Sequence, residues 1–190
     1  MTSTPTTPPE TSWTSRRISV ELDDDFDTAV AKYEQAAPPY PAVRFAQLAA
    51  AHTPWADIVR LTKELTPFGF LIYNKSPADM LMSLAGHKTQ CVVYLMGNHV
   101  KAEAMYRHDP TAMLYVPMRT IITKSGYTKT RFSFDQPSSQ LDSLNTPTIA
   151  TTGREIDRQL ATLLTHLDWP VPSCLTTDEP ARDGTSAPPP

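Results

Sequence analysis

Few residues in this chain have the type and spacing to do chemistry. His99, His108 and Asp109 lie close together between Gly86 and Ile122, with His87 just upstream. Histidine and carboxylate groups bind zinc or iron, and histidine moves protons near neutral pH. The spacing argues against a metal. A helical ligand pair needs i, i+3 or i, i+4, whereas positions 99 and 108 stand about two and a half turns apart. No metal site and no cofactor are therefore expected, with haem or metal bound through His99 or His108 kept as an alternative class.

Arg119 is an awkward residue, a guanidinium in a strand among apolar neighbours. Burial there is costly unless something pairs with it. Asp135 on the other arm of a hairpin would supply a cross-strand ion pair; the other reading is an Arg119 that orients an anion in a pocket. Asn98, after Gly97, reads as a helix cap whose neighbouring free N–H groups suit a ligand carbonyl or carboxylate. Asn98, Arg119 and Asp135 are thus the ligand-binding candidates. His99 and Asp135 are the candidates for moving a proton, with Arg119 then stabilising an oxyanion. Cys91 has no cationic neighbour in sequence and reads as a packed thiol. Met80, Met82, Met96, Met105, Met113 and Met118 read mostly as core filling. No Ser-His-Asp order, P-loop, GxGxxG or CxxC motif occurs.

The elements that must position these residues follow from periodicity and punctuation. Residues 16–22 alternate Ile18, Val20 and Leu22 against polar neighbours, a half-buried strand. Asp23–Asp25 then open a helix with Phe26, Ala29, Val30 and Tyr33 on one face, closed by Pro38-Pro39. Residues 40–52 suit only a helical turn around Phe45 and Leu48. Thr53-Pro54 starts a helix that stops before Pro67. The run 68–74 reads as a buried strand, and Ser76-Pro77-Ala78-Asp79 as a capping box opening a short helix to Leu84. The strand 88–96 puts Cys91, Val93 and Leu95 on one face and Val92, Tyr94 and Met96 on the other, both largely covered. A helix from Asn98 to Arg107 follows. The segments 112–124 and 127–135 predict a hairpin turning at Ser125-Gly126, with Pro117 marking an edge or interruption. A loop over 136–150 leads to a last helix capped at Thr152–Glu155, with Ile156, Leu160, Leu163, Leu164 and Leu167 as its apolar stripe.

Gly97-Asn98, Ala102, Met105, Asp109-Pro110, the run Tyr115-Val116-Pro117-Met118-Arg119 and the run 134–139 (FDQPSS) appear in this order. With them the chain resembles the DUF302 family over about Ile18–Trp169. The resemblance implies a TBP-like or helix-grip fold: an α+β two-layer domain, a curved mostly antiparallel sheet with a long C-terminal helix packed across it. It delivers a fold and a pocket, not a reaction. The segment around Ala36–Leu65 is longer than a minimal member needs.

Composition sets the remaining bounds. The 190 residues suit one domain over 15–169, flanked by Pro-rich tails at 1–14 and 170–190 that carry too little apolar surface to fold. Between Ser15 and Trp169, 16 Lys and Arg balance 16 Asp and Glu, so no basic footprint for nucleic acid or acidic membrane is expected. Two cysteines, no apolar leader and no run near the ~20 residues of a membrane span point to a cytoplasmic protein. The function expected is a small-molecule-binding domain with its pocket between sheet and C-terminal helix, extending to cofactor-independent proton-transfer or cyclisation chemistry. The alternative partner is a second copy, joined through a strand edge near Pro117.

Overall fold

The computed structural model describes residues 10–177. Five strands form one open antiparallel sheet in the order β1-β5-β4-β3-β2: β1 (Arg17–Leu22), β2 (Leu71–Pro77), β3 (Gln90–Gly97), β4 (Met118–Lys124) and β5 (Thr130–Asp135). One face is covered by α1 (Phe26–Ala36) and by the 20-residue C-terminal helix α7 (Pro147–His166). Beside them lie α5 (His99–Tyr106) and the short α6 (Pro137–Leu141), while α2 (Ala42–Ala50) and α3 (Trp55–Leu65) fill the segment between α1 and β2. A further short helix, α4 (Asp79–Met82), joins β2 to β3. The class is α+β, as expected.

Alternation decides what each strand contributes to the core. Ile18, Val20 and Leu22, then Val92, Tyr94 and Met96, then Met118, Thr120 and Ile122, and finally Thr130, Phe132 and Phe134 all point to the helices and are buried. Tyr33 from α1 is wholly enclosed by them. Its hydroxyl meets Thr120 Oγ1 at 2.8 Å and its ring packs near parallel to Trp169. From α7, Ile156, Leu160, Leu163 and Leu164 close this core, which is the stripe read in the sequence.

Several expectations need correcting. The helix α7 begins at Pro147, five residues before the expected cap, because proline at the first turn is pre-set for helix and Thr146 is already extended. The first arm of the hairpin is a strand only from Met118. Residues 110–114 form a 3-10 turn capped by Asp109, and Val116–Pro117 is a cis peptide. Since β4 lies between β3 and β5, Pro117 is not beside a sheet edge; the edges are β1 and β2. The capping box expected at Ser76–Asp79 does not form: Ser76 and Pro77 end β2, α4 has no side-chain cap, and Asp79 accepts the backbone N–H of Cys91. Met80 and Met82 stand out in solvent rather than inward. The domain also continues past Trp169: Leu175 is 1% exposed, and Gln136 donates to the Cys174 carbonyl. At the other end Trp13 meets the Tyr115 ring edge-on. Residues 1–9 and 178–190, the outer parts of the expected tails, lie outside the described residues.

Candidate functional site

Among the described residues neither α1 nor α7 covers the other face of the sheet, and the registers turn it into a lattice of side chains. From β1 to β5, Arg17 stands opposite Asp135, Ser19 opposite Ser133 and Glu21 opposite Arg131. These are three polar rungs. Arg17 grips Asp135 with both ends of its fork (Nε–Oδ1 2.8 Å, Nη2–Oδ2 3.3 Å), the two serine hydroxyls meet at 2.8 Å, and Arg131 donates to Glu21 at 2.8 Å. From β4 to β3 the partners are Arg119 with Leu95, Ile121 with Val93 and Thr123 with Cys91. This half is mostly apolar. The face is therefore split down its length, hydrogen-bonded on one side and greasy on the other.

A groove of about 530 Å³ runs along that seam. Its floor is Val93, Leu95 and Ile121, all half-buried, and Leu114, Tyr115 and Pro117 raise one end. Arg17, Arg119, Asp135 and Gln140 supply polar groups, together with the hydroxyls of Ser19, Thr123 and Ser133. Arg119 is exposed, not buried, and it does not pair with Asp135, whose two oxygens are held by Arg17. Among the described residues the Arg119 guanidinium has no hydrogen-bond or ion-pair partner. The sequence pointed to Asp135 because the hairpin is local; the competing arginine lies 118 positions away, on a strand whose pairing has no local signal.

Asn98 and His99 lie elsewhere. Asn98 caps α5, accepting from the N–H groups of Val100 and Lys101 and donating to the Gly69 carbonyl. It lines a second cleft of about 420 Å³ with Thr62, Phe68 and Gln159. The expected pocket between sheet and α7 is almost filled. What remains beside Met96, Met105 and Ile156 is about 20 Å³, room for roughly one water. The four candidates thus fall into two places, with Arg119 and Asp135 on the open face and Asn98 with His99 at the start of α5.

His99 is half-buried in an aromatic enclosure. Its Nε2 meets Thr62 Oγ1 at 2.6 Å and its Nδ1 meets the Tyr73 hydroxyl at 3.1 Å. The rings of Phe45, Tyr40 and Trp55 stand edge-on to it, Phe45 nearest at 4.5 Å between centroids. Burial holds its pKa below the ordinary histidine value, and burial pushes the Tyr73 phenol up to about 12. His108 is exposed at the far end of α5, so the two histidines share no site. Among the described residues no group of three or more His, Cys, Asp or Glu is placed to hold a metal ion, and no helix is long and apolar enough to cross a membrane.

Sequence reading missed Asp157. It is 3% exposed on α7 and accepts from Gln136 Nε2 at 2.7 Å, Ser138 N at 3.1 Å and Ser138 Oγ at 2.6 Å. Burial raises its pKa and the three donors pull it back only in part. Gln136 and Ser138 supply its donors, while the Ser139 hydroxyl donates to the Gln136 carbonyl and accepts from Arg16 N–H; the signal for Asp157 was a lone Asp inside an apolar helical stripe.

The comparisons with known proteins agree with this architecture. The family model described as "Domain of unknown function DUF302" matches residues 49–167. That span is narrower than the resemblance read in the sequence and leaves β1 and α1 outside. A solved structure, the crystal structure of an uncharacterized conserved DUF302 protein from Bacillus stearothermophilus, superposes with a TM-score of 0.57 at 12% identity, covering 80% of this chain and 97% of that one. No curated protein matches.

Proposed function

The chain belongs to the DUF302 family, a domain of unknown function, and on that premise we propose that its open sheet face binds a small amphipathic anion. The observation that carries this is Arg119, an unpartnered guanidinium at the seam of a groove whose floor is Val93, Leu95 and Ile121. A carboxylate or phosphate would meet Arg119 in its planar fork while the apolar body lies along the floor. The groove volume lies inside the roughly 300–1,000 Å³ of small-molecule sites. Arg17 and Asp135 form its fixed polar wall.

Turnover is less well supported. Asp135 spends both oxygens on Arg17, and His99 does not line the groove, so neither candidate for moving a proton stands free beside Arg119. The reading is binding. A thermal-shift series with an eight-carbon carboxylate and its matching alcohol tests it. The carboxylate should stabilise the protein, the alcohol should not, and Arg119→Ala should remain folded and lose the response. Equal shifts from acid and alcohol would remove Arg119 from the reading.

A second reading is a homodimer through the same face, favoured by Leu114, 79% exposed beside the apolar half. Light scattering on the wild type and on Leu95→Asp separates the two. A dimer that the aspartate dissociates supports this second reading, and a monomer in both leaves the ligand.

A further inference from the structure

The hydrogen bonds around His99 have only one consistent direction. The Thr62 hydroxyl donates to the Ile58 carbonyl at 2.7 Å, so its oxygen is left to accept from His99 Nε2–H. Nδ1 is then a bare acceptor, and the Tyr73 hydroxyl donates to it. The chain Tyr73 to His99 to Thr62 to Ile58 requires a neutral imidazole protonated on Nε2. The four members span three elements: Tyr73 on edge strand β2, His99 on α5, and Thr62 and Ile58 on α3. Phe45 of α2 packs on the same ring.

We propose that His99 is an acid-sensitive clasp: neutral, it pins α2 and α3 to the sheet edge, and protonated, it releases them. An imidazolium carries two N–H donors, so the Tyr73 hydroxyl would have to turn its own proton away, and the new charge would have no counter-charge among the described residues. The titratable groups facing His99 are the phenols of Tyr40 and Tyr73, both pushed further from titration by burial. α2 and α3 bring Phe45, Trp55 and Thr62 to it. The charged groups on the surrounding elements are engaged elsewhere or exposed: Asp57 with Arg60, Lys101 with Glu155, Glu103 with Arg107, Lys75 with Glu34, and Arg44, Lys63 and Glu64 in solvent. Both ring nitrogens are aimed at hydroxyls, so no N–H points at an aromatic face.

The sign follows from linkage. A histidine whose folded pKa lies below its unfolded value binds fewer protons when clasped, so the clasp weakens as pH falls through the unfolded value near 6.5 and gains nothing further above it. Release is local. Ile72 exchanges two backbone hydrogen bonds with residues 38 and 40, and these hold the start of the segment whatever the state of the ring. This clasp is independent of the groove and stands or falls without it.

Hydrogen exchange on the full chain tests it. Amides of α2 and α3, corrected for intrinsic rates, should lose protection several-fold between pH 7.5 and 5.0, while β3 and β4 hold. His99→Gln, which keeps one donor and one acceptor without titrating, should flatten that difference. The same pH response in His99→Gln, or none in the wild type, overturns the clasp. Nitrogen-15 NMR of the wild-type imidazole decides independently of any variant. An Nε2-protonated neutral ring titrating below 6.5 is expected, and an Nδ1-protonated ring or one titrating at or above 6.5 overturns it.

Discussion

A guanidinium left in water loses little by having no partner, whereas a buried carboxylate without donors costs several kcal/mol. Arg119 and Asp157 occupy these opposite situations. Arg119 is exposed and unpaired, so Arg119→Ala should leave stability within about 0.5 kcal/mol of wild type in urea denaturation. Its cost should appear only in ligand affinity. There, loss of a charge-assisted hydrogen bond worth about 1.5–3 kcal/mol weakens binding roughly tenfold to a hundredfold. Asp157 is the reverse. It gathers Gln136 and Ser138 onto α7, and Asp157→Ala strands three buried donors. A loss of about 1–3 kcal/mol of unfolding free energy is expected in the same assay, with no change in ligand response if the groove is intact. A unchanged midpoint for Asp157→Ala would show that this network contributes nothing net.

Elements carried most of what the sequence could say. The period-two alternation of β1 named its core residues, that of β3 sorted its two faces without saying which is covered, and the 3.6-residue stripe of α7 named the helix that packs on the sheet. The misreadings came where one residue type fits two structures. Pro117 fits a strand edge or a cis turn, and here it ends a turn before an interior strand. Pro147 fits a loop or a first helical turn, and α7 uses it as the latter. Gly153 was read only as part of a cap. Instead it lies within α7 where α6 crosses: a Cβ there would stand 3.0 Å from Ser138 Cα and 3.4 Å from Leu141. Gly153→Ala gains about 1 kcal/mol in helix propensity but overpacks against backbone at about 1–3 kcal/mol, so a net loss should appear in urea denaturation. A gain would mean that α6 can shift away.

At the scale of the molecule, local sequence signals do not reveal which sheet face the helices choose to leave bare. Cys91, Val93 and Leu95 form a strip as apolar as many buried ones, and it reads as covered until the topology puts α1 and α7 on the other side. That choice moved the site. Arg119 and Asp135 belong to the bare face, while Asn98 and His99 belong to the rim where α3, α5 and β2 meet. The two regions make separate predictions, an anion response in one and an acid response in the other. Methyl NMR of the full chain, titrated with an eight-carbon carboxylate, tests the central claim most directly. Shifts should concentrate on Val93, Leu95 and Ile121, spare Val92 and Ile122 on the core face, and vanish in Arg119→Ala. Shifts gathered instead on Val59 and Val100, in the cleft beside α7, would contradict it.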